Sequence, residues 1–149
     1  MTAVDRLVAL VAAEHATVYG YGVLGARLDD VKRRAAQVAY DSHRARRDQV
    51  VAAVAAAGGT APAPLPAYDV TVDDARAAME LAVRLEEGLS LRWRDLVADT
   101  DDVALRRLAI AGLQETAVRA AQWRKTAGIT PVTVPLPGTD PPAPTPSPS

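Results

Sequence analysis

Apolar residues recur along this chain at steps of three and four in four separate stretches, and each stretch reads as an amphipathic helix. The first covers about residues 2–28, with Val4, Leu7, Val11, Val18, Tyr21 and Leu28 on one heptad seam. Thr2 is its expected N-cap, and Asp5 three residues on approximates a capping box. The second covers about residues 30–57 and stops at Gly58-Gly59, a C-terminal signal. The third follows Thr71, with Asp73 and Asp74 in its first turn, where the helix dipole favours acids. It continues to about residue 98 through Ala75, Ala78, Ala82, Leu85, Leu89 and Leu96, and the fourth covers about residues 101–128.

The connections choose among bundle topologies. Helices 1 and 2 meet at Leu28-Asp29-Asp30, and helices 3 and 4 at Asp99-Thr100, turns short enough to make each pair antiparallel neighbours. Between helices 2 and 3 the chain is rich in proline, and about 14 residues held extended at ~3.1 Å each reach about 43 Å. A helix of ~27 residues is about 40 Å long. The linker can therefore run the length of the bundle. One long crossover between two helical hairpins predicts an all-α, ferritin-like four-helix bundle. It occupies residues 1–130, and residues 131–149 are expected to be a flexible proline-rich tail whose first residues can lie against the bundle.

Each helix carries one polar residue on its apolar face: Glu14, His43, Glu86 and Glu115. All four lie near mid-helix, so stacking brings them to a similar level. Carboxylates buried at one level need protons, cations or a metal. Ferritin-like di-iron proteins meet the need with a Glu from each of two helices and Glu-x-x-His from the other two. Here Tyr40 stands three residues before His43 and Val118 three residues after Glu115, so two of the six ligands are missing. The four residues that remain could hold one ion, and oxygen donors with one imidazole suit Fe, Mn or Zn. The competing reading is a metal-free hydrogen-bonded network, with Glu115 paired to Arg119 one turn on and Tyr40 or His43 bonded to a carboxylate. This second reading is the one expected, so no cofactor is predicted. His15 lies about 100° round the helix from Glu14 and is expected at the boundary of the core.

The chain resembles a ferritin-like family of unknown function from high-GC bacteria, domain of unknown function 4439. The resemblance rests on the run from Glu14-His15 through Tyr19-Gly-Tyr21-Gly to Arg27, on His43-Arg-Ala-Arg-Arg47, and on the linker ending at Ala67-Tyr68. Leu85-Glu86 and the helix-4 run toward Trp123 add to it. It covers roughly residues 1–130 and implies the ferritin-like fold, with no established activity.

Composition removes other classes. The chain has no Cys, which excludes disulfides and thiol chemistry, and no Phe, with 4% aromatic residues. Apolar residues make up 49%, many of them alanine, enough for a core. A net charge of −1 gives no general attraction to nucleic acid or anionic membrane, and Lys32-Arg33-Arg34 and Arg44, Arg46 and Arg47 read as a solvated face. Tyr19-Gly20-Tyr21-Gly22 lies mid-helix and signals close helix packing rather than a phosphate loop. Trp93 and Trp123 are expected as core or boundary anchors. No window is expected to approach the ~20 apolar residues of a membrane span, and the predicted location is the cytoplasm. Ser42 adjoins His43 and faces away from it, so no Ser-His-Asp set can be built and no enzyme is expected. The predicted role is a structural or interaction module that an alanine-rich face allows to form a homodimer. The alternative is a metal-binding protein with oxidoreductase or storage activity.

Overall fold

A computed structural model describes residues 1–137, 139 and 146–149. Four long helices form it: α1 (Ala3–Leu24), α2 (Asp30–Ala56), α3 (Ala75–Asp99) and α4 (Val103–Ala127). A short 3₁₀ turn, Gly25–Arg27, ends α1 one turn earlier than its apolar seam suggested. Thr2 caps α1 as expected, whereas Asp74, expected in the first turn of α3, is its N-cap and Asp73 precedes it. Thr2 and Asp5 complete a capping box, and Asp29, Asp74 and Asp102 each accept a backbone N–H at the start of α2, α3 and α4. At the other ends, Gly58 (φ 76°) and Gly128 (φ 69°) take the left-handed conformation that closes a helix.

Two apolar clusters fix the directions of the helices. Leu7, Leu10 and Val11 from the start of α1 meet Val50 and Val54 near the end of α2, Leu89, Trp93 and Leu96 of α3, and Ala109 of α4. Tyr21 and Leu24 from the end of α1 meet Ala36 and Ala39 of α2, Ala78, Leu81, Ala82 and Leu85 of α3, and Trp123 of α4. Thus α2 and α3 both run opposite to α1, and α4 runs with it. Arg6 closes the lower end, reaching Asp99 at 2.6 Å and Asp95 at 3.2 Å.

Because α2 ends at the bottom and α3 begins at the top, the chain between them must climb the whole bundle. Gly59 starts the climb against Val4 and Val54, and Val72 ends it inside the upper cluster. His15 Nε2 bonds the Pro62 carbonyl at 3.0 Å on the way, so this boundary residue ties the crossover to α1. The start of the tail also lies against the bundle: Arg124 Nη1 donates to the Pro131 carbonyl at 3.1 Å, and Val132 and Val134 face α3 and α4. Near the terminus Pro148 forms an isolated bridge with Tyr68. The mobility expected for residue 138 and residues 140–145 lies outside the described residues.

Two sequence expectations need correction. First, Ala3–Arg27 is long and apolar enough to cross a membrane, with a mean hydropathy of 1.4. Glu14 is the one formally charged residue between Leu7 and Leu24, and 56% of the apolar window is buried inside the bundle. Second, α4 is rotated from the face assigned to it. Its inward row is Ala109, Gly112, Thr116, Ala120 and Trp123, while Glu115 and Val118 are exposed. Alanine recurs on both faces of this helix, so the apolar period is ambiguous, and tryptophan volume decides. Gly112 lies under the Trp93 indole so closely that a Cβ there would come within 2.4 Å of two ring carbons. Gly20 makes a similar close approach to Leu85.

Gly112→Ala should therefore destabilise the protein by about 1–3 kcal/mol, since overpacking outweighs the gain in helix propensity. Denaturant unfolding measures this, and an unchanged or raised midpoint would place the α3–α4 contact elsewhere.

Candidate functional site

Between the two apolar clusters runs a polar layer, and three of the four residues singled out in the sequence meet there. Glu14, His43 and Glu86 are fully or almost fully buried, on α1, α2 and α3. His43 stands between the carboxylates: its Nδ1 is 2.8 Å from Glu14 Oε2 and its Nε2 is 3.0 Å from Glu86 Oε1. Both contacts are donations only if the ring carries two protons. Burial alone would lower the pKa of this imidazole. The charges of Glu86 and Glu14, with their hydrogen bonds, outweigh burial and raise it from 6.5 to about 10. His43 is therefore an imidazolium at neutral pH.

The network continues through residues the apolar pattern hid. Tyr21 donates its hydroxyl to Glu86 Oε1 at 2.5 Å and accepts from Trp123 Nε1 at 2.9 Å. Burial first, and then the Glu86 charge, push the Tyr21 phenol well above its ordinary range. Arg119 Nη1 lies 3.5 Å from Glu86 Oε2 and 3.3 Å from His43 Nε2. With Nε2 protonated, the shorter distance reflects two donors converging on one carboxylate. Two negative and two positive side chains thus balance within the layer. Ser90 and Thr116 extend it, their hydroxyls 2.9 Å apart.

Glu115 does not join the buried set. It is half-exposed and forms an ion pair with Arg46, not with Arg119 as its i+4 spacing suggested. The rotation of α4 is the cause, since Arg119 and Thr116 take the inward side. Tyr40 makes no bond to a carboxylate among the described residues. Tyr21 and Trp123 could have been found from the sequence, since both lie on apolar seams yet carry polar atoms that need partners when buried. Arg119 had no such signal.

Both nitrogens of His43 face carboxylates, so a cation would have to displace a ring proton before it could reach a lone pair. Arg119 adds a positive charge beside the ring. Among the described residues no group of three or more His, Asp or Glu side chains is placed to hold an ion. Two atoms beside the layer stand apart. Glu14 Oε1 is buried without a hydrogen-bond partner, and Glu14 borders a cavity of about 10 Å³, near one water in size, which Glu115, Arg46 and Arg119 also line. Trp93 Nε1, at the same small cavity, is the other.

This topology and polar layer define a ferritin-like four-helix bundle. The fold is shared with a mutant of the Listeria innocua Dps protein, with a TM-score of 0.79 at 15% identity over 89% of this chain and 97% of that one. A conserved hypothetical protein of Mycobacterium tuberculosis, known from a crystal structure, is 35% identical, with a TM-score of 0.79 over 83% of this chain and 96% of that one. A search of curated proteins finds no match. The model of the domain of unknown function 4439 (DUF4439) matches residues 7–141, and the chain belongs to that family. The match runs past residue 130 into the segment that lies on α3 and α4.

A histidine with a pKa of about 10 when folded and about 6.5 when unfolded stabilises the fold fully below pH 6.5. That contribution is lost as pH rises toward 10, at up to about 1.4 kcal/mol per pH unit. Unfolding free energies measured from pH 6 to 10 should fall with this slope in the natural protein. In a His43→Gln variant, less stable at pH 7, the component should vanish; identical pH profiles would mean that His43 is neutral.

Proposed function

We propose that this protein is a structural or interaction module in which a protonated histidine takes the place of a metal at the centre of a ferritin-like bundle. The observation that carries this reading is the placement of His43 between Glu14 and Glu86, each ring nitrogen within 3.0 Å of a carboxylate oxygen. The layer then has no net charge for a metal to neutralise, and its groups hold helices together instead of activating oxygen. A second reading, one Fe, Mn or Zn ion in a storage or oxidoreductase role, draws on the orphaned Glu14 Oε1 beside its small cavity.

Metal content of protein purified without chelator separates the two. The first reading expects far less than one ion per chain, in the natural protein and in a Glu14→Gln variant alike. Stoichiometric Fe, Mn or Zn that disappears in Glu14→Gln would establish the second.

The outward face of α2 supports the assembly half of the proposal. Val31 and Val38 are exposed at 70% and 65%, and Ala45 and Ala52 continue the same seven-residue row in the open. Ala35 and Ala56 flank it. A heptad row of small and β-branched residues lets a second helix approach closely, and a two-fold axis would make the contact self-complementary. Sedimentation equilibrium should find a dimer that Val38→Glu converts to monomer with its helical circular dichroism intact. A natural protein that stays monomeric to high micromolar concentration would remove the homodimer from this proposal.

A further inference from the structure

A second cavity, remote from the buried centre, lies between α1, α2 and the crossover. It has a volume of about 370 Å³, and its chemistry comes from His15, Tyr19, Tyr40, Arg47 and Tyr68. The chain has four tyrosines in all, and three of them gather here. Tyr68 is buried, whereas Tyr19 and Tyr40 are only partly buried at the cleft wall.

The walls are held in place by contacts of their own. Tyr19 and Tyr68 lie with ring centroids 5.3 Å apart at 52°. Tyr68 is fixed at its far end, where its hydroxyl accepts the Leu65 N–H at 3.2 Å. The ring of His15 is set by its bond to Pro62. The guanidinium of Arg44 stands 5.7 Å from the centroid of the Tyr40 ring. Arg47 binds Asp48 Oδ1 through Nε at 3.0 Å and Nη2 at 2.8 Å, which leaves Nη1 among the described residues to meet a ligand. The Tyr19 and Tyr40 hydroxyls make no hydrogen bond among the described residues and can donate.

We infer that this cleft binds a small planar aromatic molecule carrying a negative charge. The volume lies within the range of small-molecule sites, about 300–1,000 Å³. Aromatic side chains take flat rings by offset or edge-to-face contact, and the polar ends of Tyr line the same space. Arg47 is the one charged side chain that lines the cleft among the described residues, and its Nη1, which Asp48 does not take, favours an anion. A guanidinium and phenol hydroxyls suit a carboxylate or a similar oxyanion. The site shares no side chain with the Glu14–His43–Glu86 layer, so it stands whether or not that layer ever holds a metal.

The protein has two histidines, one in this cleft and one in the core, which gives the test an internal control. 2-Naphthoate is titrated into the full chain while the imidazole Cε1–H proton signals are followed, with His15→Gln assigning them. The His15 signal should move saturably and the His43 signal should not. Arg47→Gln, an interaction lost at the cleft mouth, should weaken binding about tenfold, and decanoate, an anion of similar bulk without a ring, should bind at least tenfold more weakly than naphthoate. A His15 signal that stays fixed into the millimolar range would overturn the inference. So would equal binding by Arg47→Gln, or equal binding of decanoate.

Discussion

Glu14 and Glu86 carry their carboxylates into the middle of a helical bundle, where neither is exposed to water. An unpaired charge in that position would cost several kcal/mol, a large share of the net stability a domain of this size usually has. The histidine between them removes most of the cost. It supplies one proton-bearing nitrogen to each carboxylate, while Tyr21 donates to the same Glu86 oxygen and Arg119 reaches the other one. Hydrogen bonds of this kind are directional, so the layer also sets how far each helix can slide or turn against its neighbours.

The rest of the architecture is arranged around that level. Below the layer, Trp93 fills the space opposite Gly112; above it, Trp123 bonds Tyr21 and fills the space between α1 and α4. The Trp93 indole needs a small residue facing it, which is why Gly112 stands at that point of the inward row of α4. Leucine and valine on that helix are displaced toward the flanks. Glu115 is carried with them to the surface, where Arg46 meets it. The crossover serves the same arrangement from outside, because α2 and α3 can both lie antiparallel to α1 only if the chain between them returns over the full height of the bundle.

Much of this was legible in the sequence because the signals were physically distinct. Proline and glycine marked the crossover and the helix ends, acids marked roughly where three helices begin, and two glutamates and a histidine interrupted rows that were otherwise apolar. Ferritin-like topology followed from the long linker set between two short-turned hairpins. The face of α4 was not legible. Alanine satisfies either of its two helical rows equally, and the choice depends on where Trp93 of the neighbouring α3 leaves room. For the same reason Arg119 was expected as the partner of Glu115 one turn away, although it reaches the buried Glu86 carboxylate instead. The ligand count suggested a damaged metal centre; the geometry adds that the histidine left behind is positioned to act as the cation.

That claim turns on how many protons His43 carries, and nitrogen NMR reads the number directly. In protein labelled with ¹⁵N and held at pH 8, both ring nitrogens of His43 should show imidazolium shifts, each coupled to its own slowly exchanging proton. One protonated and one bare nitrogen, or a shift that appears only when a metal is bound, would contradict the account.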